Sequence, residues 1–146
     1  MQDFEYIKIV PDERLSGFVE SFLLCANHTD EDKEVIIFPD GRVDIICSCT
    51  DQEPLVAELF NLDKKARRYI FKKQTKLFMV CLTLLGAEYL LGYNGTDFGK
   101  DEIRLPAGFW DISKEDLTSL DSFAEKVSEK LLEIFPKKMD ERKQQL

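Results

Sequence analysis

The sequence predicts a single α+β domain. Residues 43–49 alternate in the way that strands do, residues 77–84 form an almost continuously apolar run of strand length, and residues 122–135 repeat apolar side chains at helical spacing. A chain of 146 residues has the size of one domain with a full core.

The N-terminal part is predicted to be mainly extended. Residues 4–10 alternate as a first strand, and Leu15, Phe18 and Val19 then make a short helical stripe. Residues 21–26 are extended and apolar, so we expect a second strand there.

A tight turn at Pro39, Asp40 and Gly41 is predicted to join strands 35–38 and 43–49 as a hairpin. Proline presets φ at the second position of such a turn and glycine accepts a positive φ, which favours a type I turn with a glycine bulge. The alternation gives the second strand one face with Val43, Ile45, Cys47 and Cys49, and another with Arg42, Asp44, Ile46 and Ser48.

The middle of the chain supplies a polar strand, an apolar strand and a short helix. Residues 67–73 alternate and place Tyr69 and Phe71 on one face. Residues 77–84 are apolar on both faces and are therefore expected at the centre of the sheet. A short helix is predicted near 86–92, because a glycine at its end can stop it.

The C-terminal helix is predicted over residues 122–135. Ser122 and Glu125 have the spacing of a capping box, and Pro136 is expected to end the helix. Residues 137–146 then form a charged tail.

The apolar stripe of this helix has two interpretations. It can pack on the domain's own sheet, or it can dimerise the protein as an exposed face. Its members are Phe123, Val127, Leu131 and Ile134. In either case the domain spans residues 1–136.

Apolar and aromatic side chains in or near the strands can line a ligand cavity, since such pockets are mostly hydrophobic. The alternative is that they only fill the core. The candidate lining residues are Phe38, Ile45, Tyr69, Phe78 and Tyr89.

Charge is distributed unevenly along the chain. The net charge of −8 opposes general nucleic-acid binding, but residues 63–76 contain seven bases and one acid. This basic segment can recognise an anionic ligand or partner, or it can protect a hairpin edge from aggregation. The sequence shows neither an apolar run long enough for a membrane span nor a secretory signal, so a cytoplasmic location is expected.

Residues that carry catalysis or metal binding are scarce. His28 is the one histidine and has no nucleophile at a recognisable spacing, and phosphate-binding or dinucleotide-binding glycine motifs are absent from the sequence. The cysteines lie in apolar surroundings and are expected to be buried thiols rather than zinc ligands. They are Cys25, Cys47, Cys49 and Cys81. We therefore predict no enzyme, no metal site and no cofactor.

Three pieces of the chain, taken in order, resemble the N-terminal sensor domain of one branch of the AraC-type transcription regulators. The first piece, Pro11, Leu15, Phe18-Val19 and Ser21-Phe22, is similar to the family's "P…L…YV…YW" opening. The second, residues 38–46, is similar to its "PDG…DLIF" hairpin. The third, residues 82–92 followed by 101–105, is similar to its strand, short helix and "D…V.L" segment. The family's opening tryptophan is replaced here by the pair Phe22-Leu23.

The resemblance implies a small antiparallel β-barrel or curved, cupin-like sheet with helices beside it. It implies a regulatory domain that senses a small-molecule effector or forms a homodimer, with no catalytic residue. Only eleven residues follow Phe135, too few for the helix-turn-helix region of such regulators. DNA would therefore be bound only through a missing or separate region, whether the chain is a sensor cut from a longer regulator or a stand-alone version.

Two rival functions remain open on the sequence. One is a stand-alone protein-interaction or dimerisation domain that uses the terminal helix. The other is a small-molecule enzyme on a barrel scaffold.

Overall fold

The structure, a computed structural model, describes residues 3–37, 43–50, 52–61, 66–91, 102–106 and 108–144. The strands are β1 (Phe4–Ile9), β2 (Val19–Asn27), β3 (Lys33–Ile37), β4 (Val43–Ser48), β5 (Val56–Asn61), β6 (Arg67–Phe71), β7 (Thr75–Leu82) and β8 (Glu102–Arg104). The helices are α1 (Leu84–Leu91) and α2 (Leu120–Gln144), with 3₁₀ helices η1 (Glu13–Leu15), η2 (Phe109–Asp111) and η3 (Lys114–Thr118). The predicted α+β class is confirmed.

The described strands form two antiparallel sheets. The main sheet has six strands in the order β1-β2-β7-β4-β5-β8, and the small sheet pairs β3 with β6. Among these strands the main sheet ends at β1 and β8 and is not closed, so an open sheet is shown and the predicted barrel is not confirmed.

The predicted hairpin between β3 and β4 is wrong. Among the described strands β3 pairs with β6, whereas β4 lies between β7 and β5 in the main sheet. Burial explains the separation: five successive residues of β4 are buried, which suits a strand covered on both faces, while β3 carries exposed Glu34 and Ile36. Residues 38–42, with the predicted turn at Pro39, Asp40 and Gly41, lie outside the described residues.

Two hydrophobic clusters lie on opposite faces of the main sheet. The larger cluster fills the helix side and contains the predicted inner face of β4, Val43, Ile45 and Cys47. The smaller cluster lies between the main and small sheets and contains Ile46, Phe60, Phe71 and Leu77. The protein therefore has three layers: small sheet, main sheet and helices.

Helix α2 covers the helix side with the apolar stripe that the sequence identified. Phe123, Val127 and Leu131 are fully buried, and the Phe123 ring contacts the rings of Phe22 and Phe78 at centroid distances of 6.4 and 5.5 Å. Ile134 is half-buried against the same cluster. The interpretation of this stripe as an exposed dimer face is therefore wrong, because the domain's own sheet already covers it.

Both ends of α2 differ from the prediction. The helix begins at Leu120, and the cap is Ser119, whose Oγ accepts a hydrogen bond from the Ser122 backbone N–H at 3.1 Å. The helix also continues through Pro136 to Gln144. Proline removes one backbone hydrogen bond and costs about 3 kcal/mol, but the Lys, Met, Glu, Arg and Gln residues that follow favour helix.

Helix α1 starts two residues earlier than predicted because Thr83 caps it. The Thr83 Oγ1 accepts a hydrogen bond from the Gly86 backbone N–H at 3.0 Å and donates to the Gly17 carbonyl at 2.9 Å. A Cβ atom at Gly86 would lie 1.9 Å from the Phe18 carbonyl oxygen, so only glycine allows this close approach. Neither described helix combines the length and apolar composition that a bilayer span requires.

We predict that Phe123→Ala lowers the free energy of unfolding by about 3–5 kcal/mol, because it removes a fully buried ring between two others. The matched control Glu125→Ala lies on the exposed side of the same helix and should change stability by less than about 0.5 kcal/mol. Urea unfolding followed by circular dichroism measures both. Equal effects of the two substitutions would contradict the packing of α2.

A second prediction concerns Gly86. Glycine-to-alanine changes inside helices normally stabilise by about 1 kcal/mol, but Gly86→Ala should destabilise by at least about 2 kcal/mol because its methyl group meets a backbone carbonyl. Gly17→Ala, with nothing within 4 Å of its added Cβ, should change stability by less than about 1 kcal/mol. Thermal unfolding compares the pair, and a stabilised Gly86→Ala variant would refute the contact.

Candidate functional site

The turn between β4 and β5 is the centre of the candidate site. The Thr50 Oγ1 accepts hydrogen bonds from the backbone N–H groups of Gln52 and Glu53 at 3.3 and 3.0 Å, which orders the turn locally. Two clefts share the turn residues Cys49, Thr50 and Glu53 as a common wall.

The narrow cleft lies on the small-sheet side of this turn. Its volume is about 180 Å³, and Tyr69 and Lys72 from the β6 side face Ser48, Glu58 and the neighbouring strands. Arg104 of β8 also lines it. The lining therefore mixes hydroxyl groups with both signs of charge.

The wide cleft lies on the helix side, with a volume of about 710 Å³, which is the size of a metabolite site. Phe78 and Leu117 supply apolar surface, and both also belong to the helix-side core. The polar and charged lining comes from the β4–β5 turn, the β6–β7 turn and η3. Besides the shared wall it includes Gln52, Lys73, Gln74, Lys76, Lys114 and Thr118.

The β6–β7 turn holds its lysines on a fixed backbone. Gln74 has a left-handed φ of 50°, and its side-chain Nε2 donates hydrogen bonds to the carbonyls of His28 and Thr29 at 2.8 and 3.1 Å. The Lys73 backbone N–H donates to Asp32 Oδ1 at 2.9 Å. Strained backbone that persists because its surroundings fix it is common at ligand-binding sites.

The structure describes four of the five predicted lining residues and does not bring these four together. Ile45 is fully buried in the helix-side core, and Tyr89 is half-buried with its ring 5.6 Å from that of Phe18. Tyr69 lines the narrow cleft and Phe78 the wide cleft, on opposite faces of the main sheet. Phe38 lies outside the described residues.

The sequence pattern identified two of the three wide-cleft lysines and missed the third. Lys73 and Lys76 belong to the basic segment that the charge pattern singled out as a candidate anion-binding region. Lys114 is about forty residues further along the chain, and no motif or periodicity connects it with them. Only the folded position of η3 adds it to the cleft.

The cysteines are not disulfide-bonded and differ in their surroundings. Burial, with Cys49 nearby, raises the pKa of the Cys47 thiol to about 12. Burial and the negative charge of Asp44 raise the pKa of Cys25. Cys49 alone of the four lines the described clefts, so it is the thiol in contact with any ligand there.

The remaining candidates for chemistry are the single histidine and a metal site. His28 lies with its Nε2 3.2 Å from a carboxylate oxygen of Glu5 on β1, and its side chain lines neither cleft. Within the part of the chain that the structure describes, no group of three or more His, Cys, Asp and Glu side chains is placed to hold a metal ion.

Comparisons with protein-family models, curated proteins and solved structures found no match to this chain.

Proposed function

We propose that the protein is an effector-sensing regulatory domain of the kind that precedes the DNA-binding region in AraC-type regulators. One observation carries the proposal: the 3₁₀ helix η3 forms a wall of the wide cleft and leads directly into the cap of α2. A compound in the cleft would therefore touch the segment that sets where the terminal helix begins.

Leu117 is the physical link between cleft and helix. It lines the wide cleft and is also 8% exposed in the core cluster that contains the buried face of α2. The η3 backbone is held by a capping box, in which Ser113 N–H donates to Asp116 Oδ2 at 2.8 Å. Such a short, rigid connector transmits displacement better than a flexible loop would.

A second contact ties the preceding segment to the middle of α2. Lys130 Nζ donates to Asp111 Oδ2 at 2.7 Å, and this hydrogen bond lowers the pKa of the Asp111 carboxyl. Asp111 and Trp110 have left-handed φ angles of 58° and 53°, so the backbone of η2 is strained where it meets the helix. An effector that favours one arrangement of η2 and η3 would shift the population of α2 positions.

The order of elements along the chain supports the family part of the proposal. A strand, β7, is followed at once by the short helix α1, then by β8 and the terminal helix α2, as in the resemblance to AraC-type sensor domains. The cupin-like barrel that this resemblance implies is the finer part of the proposal. DNA binding, on this proposal, belongs to a separate helix-turn-helix region.

Homodimerisation is a second candidate, and one surface favours it. Strand β1 is the longest described strand that pairs with only one other strand. Its residue Tyr6 is 66% exposed, and Val10, which directly follows the strand, is 76% exposed. An exposed apolar edge strand can pair with the same strand of a second copy.

The effector prediction is tested with a thermal-shift screen against a metabolite library, followed by hydrogen exchange on each hit. A true effector should raise the melting temperature and protect backbone amides in residues 114–123, where η3 joins α2, because its binding orders the cleft wall. Thr118→Val should weaken this protection, whereas Ser16→Ala, an exposed position next to η1 and outside both cleft linings, should leave the ligand response unchanged. Protection confined to β1, or turnover of a hit, would overturn the sensing proposal.

The edge-strand candidate predicts that the protein sediments as a dimer at tens of micromolar. Tyr6→Lys should shift it to monomer, because a lysine on an edge strand opposes pairing between copies. Ile36→Lys, an exposed position on the other sheet's strand β3, is the matched control and should remain dimeric. A wild-type monomer at the highest concentration reached removes this candidate.

A further inference from the structure

The wide cleft is lined by more basic than acidic side chains. Three lysines and one glutamate line the wide cleft, whereas the adjoining narrow cleft has two bases, Lys72 and Arg104, and two acids, Glu53 and Glu58. The chain as a whole has a net charge of −8. A local reversal of the overall charge attracts anions to this position.

The three wide-cleft lysines have acidic side chains in their neighbourhood but are not ion-paired with them: Glu115 adjoins Lys114 in η3, and Glu53 lines the same cleft. Within the described residues no carboxylate oxygen lies within 4 Å of the amino groups of Lys73, Lys76 and Lys114. The described bases that are ion-paired all lie outside the clefts, and they are Lys8, Arg14, Lys33, Arg68 and Lys130. The cleft lysines are therefore available for a ligand.

The three lysines reach the wide cleft from two separate elements. Lys73 and Lys76 are held by the β6–β7 turn, whose backbone the Gln74 side chain fixes, and Lys114 stands on η3. Cations on two walls match a ligand with more than one negative group, because each wall can then bind a different group. Phe78 and Leu117, which are 2% and 8% exposed, form the apolar floor of the cleft beneath the charged groups.

We propose that the wide cleft binds a small metabolite with at least two anionic groups, phosphate or carboxylate, which bridges the β6–β7 turn and η3. This inference rests on the proposed effector-sensing function and gives that effector a chemical class. Bridging would draw Lys114, and with it the start of α2, towards the main sheet. A nucleic acid is the less favoured occupant, since the chain's net charge of −8 opposes it.

The sign of the cleft potential is measured first, without any ligand. Cys49 lines the cleft, and its alkylation by anionic iodoacetate and by neutral iodoacetamide depends equally on its thiolate fraction. The ratio of the two rates should therefore report local charge. In the folded protein at low salt we expect this ratio to exceed that of the urea-unfolded chain by roughly threefold or more, and to fall in Lys73→Gln/Lys76→Gln/Lys114→Gln.

Binding is then measured by calorimetry with inorganic pyrophosphate and with citrate, which separate phosphate from carboxylate recognition. Each single substitution, Lys73→Gln, Lys76→Gln or Lys114→Gln, should raise the dissociation constant of the anion by roughly three- to tenfold. Lys8→Gln, a matched exposed lysine on β1, should leave affinity unchanged.

Three results would overturn the proposal that the wide cleft binds an anionic ligand. They are a rate ratio no higher than in the unfolded chain, no binding of either anion at millimolar concentration, and binding that the lysine substitutions do not change. In each case a neutral metabolite that raises the melting temperature and protects residues 114–123 would still support the sensing function. If a DNA duplex displaces bound pyrophosphate, the proposal of a small-molecule ligand is wrong and a nucleic acid is the occupant of the cleft.

Discussion

Strand β7 is apolar on both faces, and the rest of the structure depends on covering both of them. Phe78 and Val80 face the helix side, where the Phe123 ring of α2 packs against Phe78. Leu77 faces the opposite side, where the small sheet covers it. A strand that must be dry on both faces requires a layer on each side, which is why this short chain forms three layers.

The narrow cleft follows from the unequal sizes of the small sheet and the main sheet. A two-stranded sheet cannot cover six strands, so part of the main sheet near the β4–β5 turn is left as a cleft wall. The chain between β6 and β7 passes from the small sheet to the main sheet, so its turn must lie at a layer boundary. Asn27 secures this boundary: its buried side-chain amide donates to the Phe71 carbonyl at 3.0 Å. Lys72, beside this turn, is thereby placed at the narrow cleft, where the small sheet leaves the main sheet uncovered.

Patterns that depend on local periodicity were predictable, and those that depend on pairing were not. The alternation of β4 correctly separated Ile45 from Ile46, and the apolar stripe correctly identified the buried face of α2. The partner of β3 could not be read from Pro39 and Gly41, because a turn signal gives local geometry and carries no information about which distant strand competes for the edge. Part of the wide-cleft lining was predictable from the sequence, because the density of basic residues singled out the β6–β7 turn. Lys114 was not predictable, because it reaches the cleft only through the tertiary position of η3.

On the proposed sensing function, the start of α2 is the point where ligand binding would act on the terminal helix, and the reason is the chemistry of a helix N-terminus. The first backbone N–H groups of a helix have no partner within it, so the position of the cap determines where the helix can begin. Here Ser119 provides that cap immediately after η3, and Leu117 fixes η3 in the core two residues earlier. Moving η3 therefore means either carrying the cap along with α2 or breaking it, which costs about 1 kcal/mol. On the proposed sensing function, a cost of that size corresponds to a ratio of about five between two arrangements of the terminal helix, which a modest binding energy can shift.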